Sequence, residues 1–177
     1  MIVGSRTVLR AIEAVDAIQY HAWINDAETN HLRGLHHPMS MTAAEQWIEA
    51  QKSPTAAHIS LAIQVPGGES IGFVGLRNIC NRSRRAEIWI YIGNKKFWRK
   101  GNGSDAMAAL ITYAFHDMNL HRIWLDMDPG YPGTVKMYEK LGFVHEGTLR
   151  KDHYRHGEYR DAAIYGLLKE EWQKAQQ

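Results

Sequence analysis

Residues 88 to 118 constrain this chain more than any other stretch. Ile88–Ile92, IWIYI, is an unbroken run of β-branched and aromatic residues, the composition of a strand covered on both faces. GNKKFWRK, residues 93–100, breaks it and brings the cations Lys95, Lys96, Arg99 and Lys100 together. Gly101-Asn102-Gly103 follows, and then Met107, Leu110, Ile111, Ala114, Phe115 and Met118 recur at spacings of three and four, the stripe of a helix lying on a sheet. Ser104 and Asp105 fall in the first turn, where short polar side chains are expected to satisfy free amides. Glycines at a helix start allow backbone N–H groups to approach an anion, and the helix dipole adds positive potential there. The local chemistry points to phosphate.

Two common phosphate loops fit poorly. A Walker loop needs Lys followed by Ser or Thr after its second glycine, and Gly103 is followed by Ser104-Asp105. Gly101, Gly103 and Ala106 match a dinucleotide fingerprint literally, with Asp126 as its acid. That fingerprint starts directly off its strand, however, whereas eight residues separate Ile92 from Gly101. Nor does the chain carry further βαβ repeats. At 177 residues one domain, 1–177, is expected. A net charge of +2 does not favour nucleic acid or an anionic membrane as partner. The single cysteine, Cys80, excludes an internal disulfide and a cysteine zinc cluster. The ten histidines, His36-His37 among them, show no ligand spacing, so no metal is expected. No apolar run approaches the ~18 residues of a membrane span, and the cytoplasm is the expected compartment.

Taken in order, Arg6–Arg10 reads as a first strand. A helix with Ala14, Ile18 and Ala22 inward follows, and then a polar loop from Asn25 to Asn30. Thr42-Ala43-Ala44-Glu45 fits a capping box opening a helix with Ala44, Trp47 and Ile48 inward, stopped before Pro54. His58–Val65 alternates as a half-buried strand and Pro66–Glu69 turns the chain. Ile71–Arg77 pairs back, its Gly72 and Gly75 permitting close approach or a bulge, and Cys80–Arg85 is a basic loop. After the central helix come a strand Arg122–Met127 and a loop from Asp128 to Gly133. A helix Thr134–Leu141 stops at Gly142. Strands Phe143–Arg155 and Tyr159–Leu168 turn at His156-Gly157, and Lys169–Gln177 is a helical tail. The order βααβββαβαββ predicts a single α/β (α+β) domain: a mixed, mostly antiparallel sheet with one central βαβ crossover.

Two motifs resemble one family. Trp98-Arg99-Lys100-Gly101-Asn102-Gly103, after a strand and before a helix, resembles the (Q/R)-x-x-G-x-(G/A) pyrophosphate loop of the GCN5-related N-acetyltransferases. Trp98 stands where Gln or Arg is usual, as in the branch of ribosomal-protein and spermidine acetyltransferases. One helix and one strand later, Thr134 to Phe143 (TVKMYEKLGF) resembles the second motif of the same superfamily. Leu9-Arg10, Trp23-Ile24-Asn25-Asp26, Ala86-Glu87-Ile88 and Gly147-Thr148-Leu149-Arg150 are similar to that branch too, so the likeness covers nearly the whole chain. One departure stands out: the family's usual Asn is Tyr131 here, followed by Pro132-Gly133.

The resemblance implies acetyl-CoA as cosubstrate and direct transfer to a primary amine in a ternary complex. It implies that Ile90, Tyr91 and Ile92 offer backbone N–H groups to the pantetheine amides and the thioester. The amides of Arg99, Lys100, Gly101, Asn102, Gly103 and Ser104 would hold pyrophosphate, with Trp98, Tyr131, Thr134 and Lys140 completing the cofactor site. Tyr138 occupies the position of the family's usual general acid. A thiol of pKa ~8.5 is more acidic than a phenol of ~10, so full proton transfer is uphill by roughly 2 kcal/mol and hydrogen bonding to the departing thiolate describes the role better. An amine of pKa ~10.4 must lose a proton, and Glu87, acting through water, is the first candidate to accept it, ahead of Asp128 and Asp126. Glu87 as a structural partner of Arg85 or Arg77 is the rival reading. Two acceptor classes stay open: a protein N-terminal amine, or a small amine such as a polyamine, amino sugar or antibiotic. The acceptor wall is expected over residues 25–40 and the late hairpin, with Asp26, Glu28 and Glu158 suiting a cation. A homodimer is left open, and a non-catalytic CoA-binding module is the alternative function.

Overall fold

The computed structural model describes residues 1–33, 37–155 and 157–175, without the side chains of residues 31–33. One eight-stranded sheet runs in the order β1-β2-β3-β4-β5-β6-β8-β7. Its strands are β1 (Ile2–Val3), β2 (Val8–Arg10), β3 (Ile59–Gln64), β4 (Ser70–Cys80), β5 (Arg85–Ile92), β6 (Arg122–Met127), β7 (Val144–Arg155) and β8 (Glu158–Leu168). Every neighbouring pair is antiparallel except β5 with β6. Helices α1 (Asp16–Ile24), α2 (Ala27–Arg33) and α3 (Met41–Lys52) precede β3. Helix α4 (Asn102–His116) forms the β5–β6 crossover, α5 (Pro132–Lys140) follows β6, and α6 (Lys169–Lys174) ends the chain. The mixed sheet and central crossover match the sequence expectation; β1 and α2 are additions to it.

Helices cover both faces. Met107, Leu110, Ile111, Ala114 and Phe115 of α4 pack on one face with Ile88, Ile123, Leu125 and Leu167. Tyr20 and Ile24 of α1 and Ala44 and Ile48 of α3 pack on the other with Ala62, Phe73 and Tyr91. This second layer corrects the reading of β3 as half-buried: Ile63 faces α4, while Ser60 and Ala62 are buried beneath α1 and α3. The inward face of α1 also differs from the expected one. Ile18 is 65% exposed, and Asp16, Ala17, Tyr20 and Ile24 are buried instead. Asp16 decides this rotation, because Arg10 grips both its oxygens at 2.8 and 2.7 Å and the Glu13 amide donates to it at 2.8 Å. Tyr20 then stacks on Trp47 at 4.2 Å between ring centroids.

Local expectations shift elsewhere. The polar loop from Asn25 to Asn30 contains the start of α2, whose first turn carries Glu28. Helix α3 is capped by Ser40, whose hydroxyl accepts from the Ala43 amide at 3.1 Å, two residues before the expected Thr42. The first strand shortens to Val8–Arg10 because the amides of Ser5, Arg6 and Thr7 turn to the Asp105 carboxylate. Gly72 lies so close to β5 that a Cβ there would meet the Tyr91 carbonyl oxygen at 2.0 Å, the close approach expected of it. Gly157 turns the late hairpin at φ +82°; its partner His156, like His36 and residues 34–36 of the expected acceptor wall, lies outside the described residues.

Candidate active site

The parallel pairing of β5 with β6 is short. It runs from Arg85 opposite Arg122 to Glu87 opposite Trp124 and goes no further. Beyond that point β5 stays with β4 as far as Ile92, and β6 stays with β8 as far as Met127. The two parallel strands therefore part, and the second half of β5 presents an open edge. The Gly93 amide donates to the Ile71 carbonyl at 2.9 Å, and antiparallel rungs recur at every second residue. Tyr91 thus bonds inward to β4, while Ile90 and Ile92 turn their peptide groups to the open edge. This corrects the expectation for Tyr91, whose ring is buried among the α1 and α3 side chains. The indole N–H of Trp98 donates to the Ile92 carbonyl at 2.8 Å, tying the basic loop to the open edge.

That loop makes a 3-10 turn over Lys95–Phe97, capped by the Asn94 side chain. Arg99 and Gly101 then take left-handed backbone, at φ +58° and +83°, to reverse the chain into α4. Only Gly101 adopts such a φ without strain. No side chain caps α4, so the amides of its first turn have no partner from the helix itself. Asp105 was expected to serve them, but its carboxylate instead accepts from the amides of Ser5, Arg6 and Thr7 at 2.9, 3.0 and 2.9 Å and from both hydroxyls. Burial alone would raise the Asp105 pKa; the hydrogen bonds from Ser5, Thr7 and Arg6 outweigh it and hold the group below the usual carboxylate range. Beside the loop lies a cavity of about 460 Å³ lined by Ser5, Arg6, Pro66, Phe97, Lys100 and Asn102.

Lys95 turns to the start of α2. It pairs with Asp26 at 2.8 Å and Glu28 at 3.1 Å, so two of the three acids expected to face a cationic acceptor already hold a cation. The hydrogen bond from Lys95 is the main reason the Asp26 carboxyl titrates below its ordinary value.

Tyr131 and Thr134 begin α5, where the Thr134 amide donates to the Tyr131 carbonyl at 2.9 Å. Lys140 is exposed at the other end of the helix and forms no ion pair among the described residues. Tyr138 is buried, its ring edge-on to Phe143 at 5.8 Å, and its hydroxyl has no hydrogen-bond partner among the described residues. Burial, with a smaller contribution from the Asp126 charge, pushes its pKa up to about 12. The phenol therefore stays protonated at any physiological pH and keeps a proton to donate in a hydrogen bond.

Glu87 is 3% exposed, and both its oxygens are occupied. Arg77 donates to Oε1 from Nε at 2.7 Å and from a second nitrogen, and Asn78 donates to Oε2 at 2.8 Å. The geometry favours pairing with Arg77 over proton acceptance, since a base needs a lone pair aimed at substrate or water. At the end of β6, Asp126 lies 2.9 Å from His153 Nε2. Asp128 accepts from the Gly130 amide at 2.8 Å and sits 3.5 Å from Arg160 Nη1. The sequence places His153 and Arg160 only in the strands of the late hairpin. No spacing rule links residues of β7 and β8 to β6; only the surplus of polar residues in that hairpin hinted at them.

The acetyltransferase (GNAT) domain model matches residues 6–144. The chain belongs to that family. It is 36% identical over 106 residues to YdaF of Bacillus subtilis (strain 168), whose name proposes a ribosomal N-acetyltransferase, covering 60% of this chain and 57% of YdaF. It is 35% identical over 95 residues to the spermidine N(1)-acetyltransferase of Escherichia coli (strain K12), covering 54% of this chain and 50% of that protein. These matches span about half the length of each relative. Among solved structures, the spermidine N-acetyltransferase of Vibrio cholerae in complex with CoA and spermine superposes with a TM-score of 0.86 at 26% identity, covering 96% of this chain and 99% of that one.

Proposed function

We propose that this family member transfers an acetyl group from acetyl-CoA to a primary amine within a ternary complex. The observation that carries this reading is the parting of β5 from β6 directly beside an uncapped, glycine-led helix start. An amide-bearing arm adds to an open strand edge as another strand would, and the peptide groups of Ile90 and Ile92 are the ones turned outward for it. The amides from Arg99 to Ser104, the α4 dipole and Lys100 suit a pyrophosphate. Among the expected cofactor contacts, Trp98 acts through the loop it anchors, and Tyr131 and Thr134 stand at the adjoining start of α5. Lys140, at the far end of that helix, has no such support.

Acetyl-CoA, when bound, supplies the activated acyl group and the thiol that leaves. Tyr138 donates a hydrogen bond to the departing sulfur without surrendering its proton. Glu87 fixes Arg77 and Asn78 between β4 and β5, and the carboxylates at the end of β6, Asp126 and Asp128, are the groups left to draw the proton from the amine. The likeness to a protein solved with CoA and spermine supports a small-amine acceptor. A CoA-binding module without turnover is the second reading, favoured only by Tyr131 in place of the family's Asn. Thiol release from acetyl-CoA, screened with spermidine, glucosamine and a free tripeptide, tests the proposal. Binding of CoA with no turnover of any amine would leave the module reading standing.

A further inference from the structure

Helix α4 does not cover the sheet equally across its width. On Ile88, Ile123 and Leu125 it sets Met107, Leu110, Ile111 and Phe115. Toward β1, β2 and β3 it turns Ala109 and Thr112, and beneath these small side chains lies a cavity of about 570 Å³. Ile2 of β1, Leu9 of β2, and Ile59 and Leu61 of β3 line its sheet side. Strand register brings them to one face: Ile2 stands opposite Leu9, Leu9 opposite Ile63, and Ile59, Leu61 and Ile63 alternate along β3. The volume falls within the roughly 300–1,000 Å³ of small-ligand sites, which are mostly apolar with a few placed polar groups.

The helix side supplies those polar groups in a graded row. Ala109, Tyr113 and Asp117 recur every four residues, so they share one side of α4, and all three line the cavity. The row leads from a methyl group, past an aromatic ring, to a carboxylate at the C-cap of the helix. A helix carries partial negative charge at this end, which adds to the charge of Asp117. Asp117 forms no ion pair and no side-chain hydrogen bond among the described residues. A carboxylate beside an aromatic ring suits an alkylated ammonium, whose hydrocarbon part suits the sheet side. We propose that this corner between α4 and β1–β3 binds a small organic cation with an apolar body: an alkylammonium ion, its chain against Leu9 and Leu61 and its head beside Tyr113 and Asp117.

The site stands apart from the proposed acetyl transfer. Helix α4 has 15 residues, about 22 Å of length, and the basic glycine loop lies at its other end. A neutral hydrocarbon would use the sheet side and leave Asp117 unengaged. An anion would meet both the carboxylate and the negative end of the helix.

The experiment titrates hexyltrimethylammonium, hexanol and hexanesulfonate into the whole chain by calorimetry, with and without saturating CoA. Hexyltrimethylammonium has no N–H to acetylate, so the result does not depend on turnover. It is expected to bind with a Kd of about 1 mM or below, hexanol at least about threefold more weakly and hexanesulfonate not measurably. CoA should change none of these by more than about twofold. Asp117→Asn, at an exposed position, should weaken the cation by about three- to tenfold and leave hexanol within about twofold. Thr112→Phe, also exposed, places a ring in the cavity and should abolish binding of both, with the circular dichroism spectrum and CoA affinity kept. Hexanol binding as tightly as the cation, unchanged cation affinity in Asp117→Asn, or unchanged binding in a folded Thr112→Phe variant would each overturn the site. Wild type that sediments as a dimer beside a monomeric Thr112→Phe would assign the cavity to a second copy of the chain and overturn it as well.

Discussion

Replacing Tyr138 by Phe separates an enzyme from a binding module and has a magnitude that the structure sets. The phenol, at a pKa of about 12, is about 3.5 units less acidic than a thiol of ~8.5, so complete proton transfer is uphill by about 5 kcal/mol. The hydroxyl works as a hydrogen-bond donor, and its loss should slow turnover by roughly 10²–10⁴ with CoA affinity nearly unchanged. Stability near pH 7 should hold within about 0.5 kcal/mol, because the ring remains against Phe143 and no partner of the hydroxyl is stranded. The raised pKa has a second consequence. The folded state holds this proton more tightly than the unfolded chain, so Tyr138 contributes stability fully below pH ~10. That contribution falls as pH rises from ~10 towards 12, by about 2–3 kcal/mol in all. Tyr138→Phe should remove that alkaline loss, read from melting curves between pH 9 and 11.5. Thiol-release kinetics supply the other readout: wild-type kcat should show no tyrosine deprotonation up to pH 10.5. Turnover within a few-fold of wild type in Tyr138→Phe would refute proton donation from this position. A mild Tyr138→Phe beside a severe Tyr131→Phe would transfer the role to Tyr131.

Gly103 has an unremarkable φ, and a Cβ there would meet Ile90 and Ile92 at an ordinary 3.6 Å, so the fold does not demand glycine. Gly103→Ala should therefore raise stability by up to ~1 kcal/mol while CoA affinity stays level or falls, and Gly103→Val should keep the fold and bind CoA markedly worse. Unchanged CoA affinity in both, by calorimetry, would move the phosphate site elsewhere. CoA at a hundredfold over Kd should stabilise the protein by about 2.7 kcal/mol in a melting experiment, and NAD should not; the reverse would revive a dinucleotide loop. Asp105 titrates below an ordinary carboxylate, so its contribution is present above pH ~4 and lost as pH falls through its folded value. Asp105→Asn should destabilise the chain by about 2 kcal/mol at pH 7 and flatten its acid limb; an unaltered acid limb would show that the grip on Ser5, Arg6 and Thr7 carries no stability.

Short-range pattern carried much of the architecture. The run from Ile88 to Ile92, the glycines at 101 and 103 and the spacing of Met107, Leu110, Ile111, Ala114 and Phe115 name a strand, an anion-ready loop and a helix, because each is decided within a few residues of itself. The segment from Thr134 to Gly142 is legible for the same reason. Pattern failed where a distant group set the answer. The inward face of α1 follows from Arg10 gripping Asp16, not from the apolar stripe through Ile18. Asp105 left its own helix start because the Ser5–Thr7 amides reach it from a hundred residues away.

The candidate site divides along the same line. Residue order alone determined that backbone amides and two glycines stand at a helix start shortly after a strand, since helix starts and turns are local. Only the tertiary structure decided that β5 and β6 part after Glu87 and Trp124 and that Tyr91 bonds inward. It likewise joined Glu87 to Arg77, Lys95 to Asp26, and Asp126 and Asp128 to His153 and Arg160. Those pairings depend on strand register and on which charges meet across the sheet, free-energy differences summed over the whole fold that no single segment encodes.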